Sequence, residues 1–294
     1  KGLLSARLQM EHFVKAYLHA GFAGVPLVLS EWGINYDQGS SPWGLRGNWA
    51  FSLAEADMML YALELGERGI VDQSSKHILA TDFGQGLFKW NDTRFVARPS
   101  GAWFLKFVEA ARGGYSVKVN VSATMLDPKL GVSSLNAVAF RKTGEYNVLM
   151  VNKFDQNAVV KITIDSGGNN RGIRGCEVES LSLHLTDNPM YEMGSDPFSA
   201  PSSFDCQTVS VPKLSVAVIR VVVPTCADID GSGGNFSSCS AGTELAANAD
   251  VASCYSGFCT ASDCCVEVVT ADVPSPSSTQ VDTPSSSSSH VQQV

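Results

Sequence analysis

The sequence has no basic run, no long apolar stretch and no metal-binding signature, and each absence removes a class of function. Over 294 residues the formal charge is −8. Phosphate neutralisation needs clustered Lys and Arg, so nucleic acid is not an expected partner. No segment reaches the roughly 20 apolar residues of a membrane span. The start, at Lys1, carries no charged, apolar and small-residue leader; no signal peptide is visible, and the chain reads as beginning inside a larger protein. The histidines His12, His19, His77, His184 and His290 form no HExxH and no close Cys/His alternation, so neither a metal nor another cofactor is expected. Asp228-Ile229-Asp230-Gly231 opens like a calcium loop, but Cys239 stands at the twelfth position where a bidentate Glu is required. A G-x-S-x-G nucleophile elbow is missing too. Gly84-Gln85-Gly86 lacks the third glycine of a dinucleotide fingerprint.

What is present in number is cysteine, and it is unevenly placed. Cys176 and Cys206 stand apart, while Cys226, Cys239, Cys254, Cys259, Cys264 and Cys265 crowd into one short stretch. That stretch holds too few large apolar residues for a core, essentially Ile229, Phe236, Leu245, Tyr255 and Phe258, against an ordering cost of about 1.5 kcal/mol per residue. Crosslinks worth roughly 2–4 kcal/mol each would hold it. The expectation is that these six sulfurs pair with one another, in an unspecified one of fifteen ways, and that Cys176 pairs with Cys206. Zinc is the rival, disfavoured by the adjacent Cys264-Cys265. Asn91-Asp92-Thr93, Asn120-Val121-Ser122 and Asn235-Phe236-Ser237 are glycosylation acceptor patterns. With the cysteines they indicate a secreted or cell-surface protein.

Along the chain, Leu3, Ala6, Met10, Phe13 and Tyr17 repeat at helical spacing, and Gly21 and Gly24 end the pattern before an apolar strand. A polar loop over residues 35–47 carries Tyr36, Trp43 and Arg46 and is long enough to bind a ligand. A second helix is signalled over 48–67, with Asn48 as N-cap or Ser52 and Glu55 as a capping box. For Glu55 and Asp57 a capping or surface role suffices. Residues 77–88 read as strand and loop, and 100–112 as a third helix opened by Pro99 and closed by Gly113-Gly114. Helix, strand, helix, strand, helix is the tail of a larger α/β layer, because two parallel strands cannot cover three helices. Beyond Tyr115 the period changes to two: residues 117–121, 135–141, 146–151, 158–164, 177–186, 208–211 and 215–223 read as short strands, the pattern of a β-sandwich. The expected fold class is thus α/β plus all-β. Residues 1–114 are expected to be the tail of that α/β layer, 115–224 a β-sandwich, 225–268 a cysteine-rich module, and 269–294 a Ser/Pro-rich disordered linker or stalk.

The chemistry centres on Val25-Pro26-Leu27-Val28-Leu29-Ser30-Glu31-Trp32-Gly33, an apolar run that ends in a carboxylate, an indole and a glycine. The run fits a strand covered on both faces with an acid at its C-terminal mouth, the place where parallel barrels carry catalytic side chains. A carboxylate that leaves the core and caps the next loop is the structural alternative. Trp32, Tyr36, Trp43, Phe88 and Trp90 all fall at or just after strand ends. Sugar rings stack apolar C–H faces on such side chains and offer hydroxyls to carboxylates, so a carbohydrate cleft is the ligand class these residues suit. For each aromatic residue, and for Phe88 and Trp90 above all, ordinary core packing is the competing reading.

The order PLVLSEWG (26–33), NWAFSLAEADMMLYALELGERG (48–69), ILATDFGQGLF (78–88), ARPSGAWFLKFVEAARGG (97–114) and VLMVNKF (148–154) resembles the C-terminal half of retaining glycoside hydrolases built on a (β/α)8 barrel. It is most similar to the α-L-arabinofuranosidases of glycoside hydrolase family 51 and their relatives in families 30, 39 and 79. The resemblance implies that residues 25–31 are barrel strand 7, with Glu31 as catalytic nucleophile. It also implies strand 8 around residues 78–88, helix 8 at 100–112, a β-sandwich beyond, and an oligo- or polysaccharide substrate. In those families the acid/base Glu follows an Asn at the end of strand 4, and no segment here matches it. The 294 residues alone are therefore expected to be inactive. A non-catalytic carbohydrate-binding or cell-surface protein is the alternative function.

Overall fold

The computed structural model describes residues 6–32, 47–76, 80, 86–123, 125–142, 144–164, 173–226, 239, 243–245 and 264–267. Helix α1 (Ala6–Tyr17) ends in a π-helical turn, Leu18–Phe22, broken at Gly21, whose φ of 89° only glycine adopts freely. Strand β1 (Leu27–Trp32) leads to α2 (Trp49–Glu67), and β2 (Val71–Lys76) returns parallel to β1. The strand parallel to β1 is Val71–Lys76; of the region 77–88 expected as strand and loop, residues 77–79 and 81–85 lie outside the described residues. Val71-Asp72-Gln73-Ser74-Ser75-Lys76 carries little apolar signal because its middle residues, Asp72, Gln73 and Ser74, face solvent.

Asn48 caps α2 as expected, its side chain accepting from the Phe51 N–H at 3.1 Å. Ser52 and Glu55 form no capping box: they lie inside the helix, where the Ser52 hydroxyl meets Ser100 at 3.0 Å and Glu55 is wholly buried. From Trp49 to Ala62 only Ala50 escapes burial, since α1, α3 (Pro99–Ala111), β2 and the large sheet surround this helix. A hairpin of β3 (Phe88–Asn91) and β4 (Arg94–Ala97) precedes α3. Gly101 permits the join, because a Cβ there would lie 2.3 Å from the Leu87 carbonyl oxygen.

The rest is short strands: β5 (Tyr115–Val117), β6 (Met125–Asp127), β7 (Val132–Ser133), β8 (Leu135–Lys142), β9 (Glu145–Asn152), β10 (Ala158–Val160), β11 (Gly175–Ser182), β12 (Tyr191–Glu192), β13 (Ser202–Phe204), β14 (Val209–Val211) and β15 (Ser215–Val222). Six of them make an antiparallel sheet in the order β13-β11-β15-β9-β8-β5. Period-two alternation splits its side chains between two cores. Leu149, Val151, Val216 and Val218 join the helices, whereas Val148, Met150, Ala217, Ile219 and Val221 pack with Val209 and Val211 of the β10–β14 pair. The Cys176–Cys206 disulfide, with Cα atoms 5.3 Å apart, lies in the second core as expected. Cys226 bonds Cys264 and Cys239 bonds Cys265, next to an antiparallel pair of β16 (Thr243–Leu245) and β17 (Cys265–Glu267). Cys254, Cys259 and residues 269–294 lie outside the described residues.

A buried ionic lock ties helices to sheet. Asp57 of α2, 1% exposed, accepts from Lys153 Nζ at 2.6 Å and from the Asn136 amide at 2.5 Å, with Arg7 of α1 at 3.8 Å. Arg7 also binds Glu11 and Glu64; burial opposes its charge, but the Asp57 and Glu64 carboxylates, with the hydrogen bonds to Glu11 and Glu64, outweigh it and hold the guanidinium above its ordinary value. Asp57 is thus no surface acid. Asn152, next to Lys153, turns its amide onto the Gln156 and Pro212 carbonyl oxygens and fixes the loop after β9.

Candidate active site

Strands β1 and β2 run parallel, so their C-terminal ends lie side by side, and Trp32 and Lys76 are register partners. Leu29 pairs with Ser74, yet Trp32 pairs with Lys76, so β1 carries one more residue than β2 across this interval. That bulge at Ser30 and Glu31 shifts the alternation. Leu27 and Leu29 pack against the core, Trp32 follows them inward at 7% exposure, and Glu31 is left on the exposed side. Without the extra residue, strict alternation would send Glu31 inward with Leu27 and Leu29.

The strand is not covered on both faces as its composition suggested. Val25 and Val28 are each 53% exposed, and among the described residues only β2 pairs with β1.

Behind Trp32 stands a charged pair that the sequence reading did not find. Lys76 Nζ lies 2.8 Å from Glu55 Oε1, with the two side chains 4% and 0% exposed, and 5.7 Å from the centroid of the Trp32 ring. A carboxylate on an all-buried helix needs such a counterion, since an unpaired one would be strongly destabilising. The signal was in the sequence: two acids, Glu55 and Asp57, inside a helical run that is otherwise apolar on every side must meet cations. Glu31 therefore stands near the strand end as a solvent-facing carboxylate, next to a buried indole and a buried ammonium. Such a group can attack an electrophilic carbon or accept hydrogen bonds from hydroxyls.

The other expected site residues are dispersed. Phe88 is buried at 9% exposure with Leu87 and Ala97. Trp90 is 49% exposed on the β3–β4 hairpin, edge-on to Phe95 at 4.9 Å. Tyr36 and Trp43 lie outside the described residues. Of the acceptor asparagines, Asn91 at the hairpin turn and Asn120 are exposed, and Asn235 lies outside the described residues.

No protein-family model and no curated protein sequence matches the chain. Solved structures do. The α-L-arabinofuranosidase of Thermotoga maritima aligns with a TM-score of 0.53 at 14% identity, over 75% of this chain and 49% of that one. The GH51 arabinofuranosidase of Xanthomonas axonopodis pv. citri gives 0.51 at 15%, over 73% and 46%. A conserved exported protein of Bacteroides fragilis gives 0.50 at 13%, over 73% and 43%. The chain spans about half the length of these proteins, and the likeness is one of fold: helices and sheets here are arranged as in part of a GH51 arabinofuranosidase.

Proposed function

We propose that this chain is the C-terminal part of a secreted retaining glycoside hydrolase, arabinofuranosidase-like, with Glu31 as its nucleophile. The observation that carries the reading is the bulge at the end of β1, which seats Trp32 in the core and turns Glu31 outward at the mouth of a parallel strand. In this reading β1, α2, β2 and α3 belong to a (β/α)8 barrel whose other strands cover Val28. The six-stranded sheet and the β10–β14 pair form the two layers of a β-sandwich beside it. The likeness in fold to arabinofuranosidases supports the assignment. The disulfides, and an exported protein among the similar structures, support the secreted location.

The chemistry follows from two carboxylates about 5 Å apart. Glu31 attacks the anomeric carbon while the second carboxyl, supplied by the remainder of the barrel, protonates the departing glycosidic oxygen. A covalent glycosyl ester on Glu31 results. The second group, now a carboxylate, takes a proton from water, which attacks the same carbon and releases Glu31. Substrates are oligo- or polysaccharides.

Replacing Glu31 by Gln in the full natural chain keeps the volume but exchanges the anionic nucleophile for a neutral, poorly nucleophilic amide. Turnover of an aryl arabinofuranoside should fall on the order of a thousandfold or more with the thermal midpoint unchanged. Retained turnover would remove Glu31 from the mechanism. Saccharide binding by a natural chain that hydrolyses nothing would support the carbohydrate-binding alternative.

A further inference from the structure

We propose that Lys76 is a positioning residue for Glu31, acting through Trp32, with Glu55 as its fixed counterion; the proposal rests on the reading of Glu31 as nucleophile. The bulge that turns Glu31 outward also weakens the hold on it. An extra residue in one strand is left out of the ladder, so backbone pairing alone does not define where Ser30 and Glu31 sit. The first residue after the bulge to regain its partner is Trp32, and that partner is Lys76. The placement of Glu31 is therefore tied to Trp32, the next residue in the chain, which fixes one end of the bulge.

Trp32 is held in turn by a group that cannot drift. Lys76 Nζ sits 5.7 Å from the indole centroid and 2.8 Å from Glu55 Oε1, in the stretch of α2 that is buried all round. A buried ion pair is a poor device for cohesion, because apolar or neutral groups of the same volume hold a core as well. What it adds is a fixed direction. The other buried pair, Asp57 with Lys153, lies between α2 and the six-stranded sheet and ties those layers together. The pair of Glu55 and Lys76 instead reaches the end of β1 beside the candidate nucleophile. Catalytic groups must be held to about 0.5 Å, and a misplacement of about 1 Å costs on the order of a hundredfold in rate.

The test compares, in the full natural enzyme, Lys76→Met with the double variant Glu55→Gln/Lys76→Met, which removes both charges and leaves neither unpaired. Lys76→Met should lower both the thermal midpoint and kcat. The double variant should regain the wild-type midpoint, yet remain about 10- to 100-fold low in kcat with KM within about threefold, since substrate contacts are untouched. A double variant with wild-type kcat would overturn the proposal and leave the pair a merely structural one. Amide hydrogen exchange at Glu31 and Trp32 supplies a readout independent of turnover. It should be at least about tenfold faster in the double variant; unchanged exchange would overturn the clamp. If Glu31→Gln proves harmless to turnover, the nucleophile reading fails by itself, and the exchange result still decides whether Lys76 orders the strand end.

Discussion

Strands β9 and β1 are both apolar runs, yet they end in different environments. In β9 every residue from Asn147 to Asn152 is buried, because β8 and β15 pair with its two edges and a core lies on each face. In β1 the core takes one face only, Val28 is 53% exposed, and Glu31 faces outward. Composition alone does not distinguish them; neighbours do. A strand with both edges paired and both faces covered is structural throughout, whereas a strand end with an open face can present chemistry.

The largest expected effect lies where the two regions join. Lys153→Met leaves Asp57 buried without its main counterion and should cost about 3–5 kcal/mol in denaturant unfolding, most of it recovered by Asp57→Asn/Lys153→Met. If the single variant is harmless, α2 and the large sheet are not locked together through this pair.

Next comes a direct contrast between the strands. Leu149→Ala in β9 removes a fully buried side chain and should cost about 2–5 kcal/mol. Val28→Ala in the 294-residue chain should stay within about 0.5 kcal/mol. In a longer natural chain whose barrel strands cover that face, Val28→Ala should cost distinctly more. Equal cost in both chains would count against a barrel partner for β1.

The smallest effect concerns the surface pair beside α3. Burial raises the Asp196 carboxyl, but the hydrogen bond from Lys106 at 2.8 Å and one from the Phe198 N–H outweigh it and hold the group below its ordinary value. A depressed carboxylate adds stability above its unfolded value and loses it as pH falls through the folded one. Asp196 is 55% exposed, so Asp196→Asn should cost only about 0.2–1 kcal/mol near neutrality. The difference from wild type should close below about pH 4, followed by thermal midpoints across pH.

Much of this was legible in the sequence wherever burial leaves a pattern. The strands Leu135–Lys142, Glu145–Asn152 and Ser215–Val222 show as short apolar-rich runs because a core lies on each face, and α2 announces itself by its length and the Asn48 cap. Strand β2 was not legible: Asp72, Gln73 and Ser74 face solvent, and their strand character comes from pairing with β1, which no periodicity records. The outward turn of Glu31 was hidden for the same reason, since a bulge is defined by two strands and read from neither alone. Glu55 and Asp57 were visible as acids in an apolar helix, but their partners Lys76 and Lys153 lie 21 and 96 positions away in sequence. The hairpin at Asn91-Asp92-Thr93-Arg94, with Asp92 at a φ of 48°, read only as an acceptor pattern.

The central claim is that Glu31 forms the covalent intermediate. An activated 2-deoxy-2-fluoro arabinofuranoside, which slows breakdown of the glycosyl ester more than its formation, should accumulate on the full natural enzyme. Peptide mapping by mass spectrometry should then place one sugar on Glu31 in the wild type and none in Glu31→Gln. A label on any other carboxylate, or an enzyme that turns over without ever carrying one, would contradict the account.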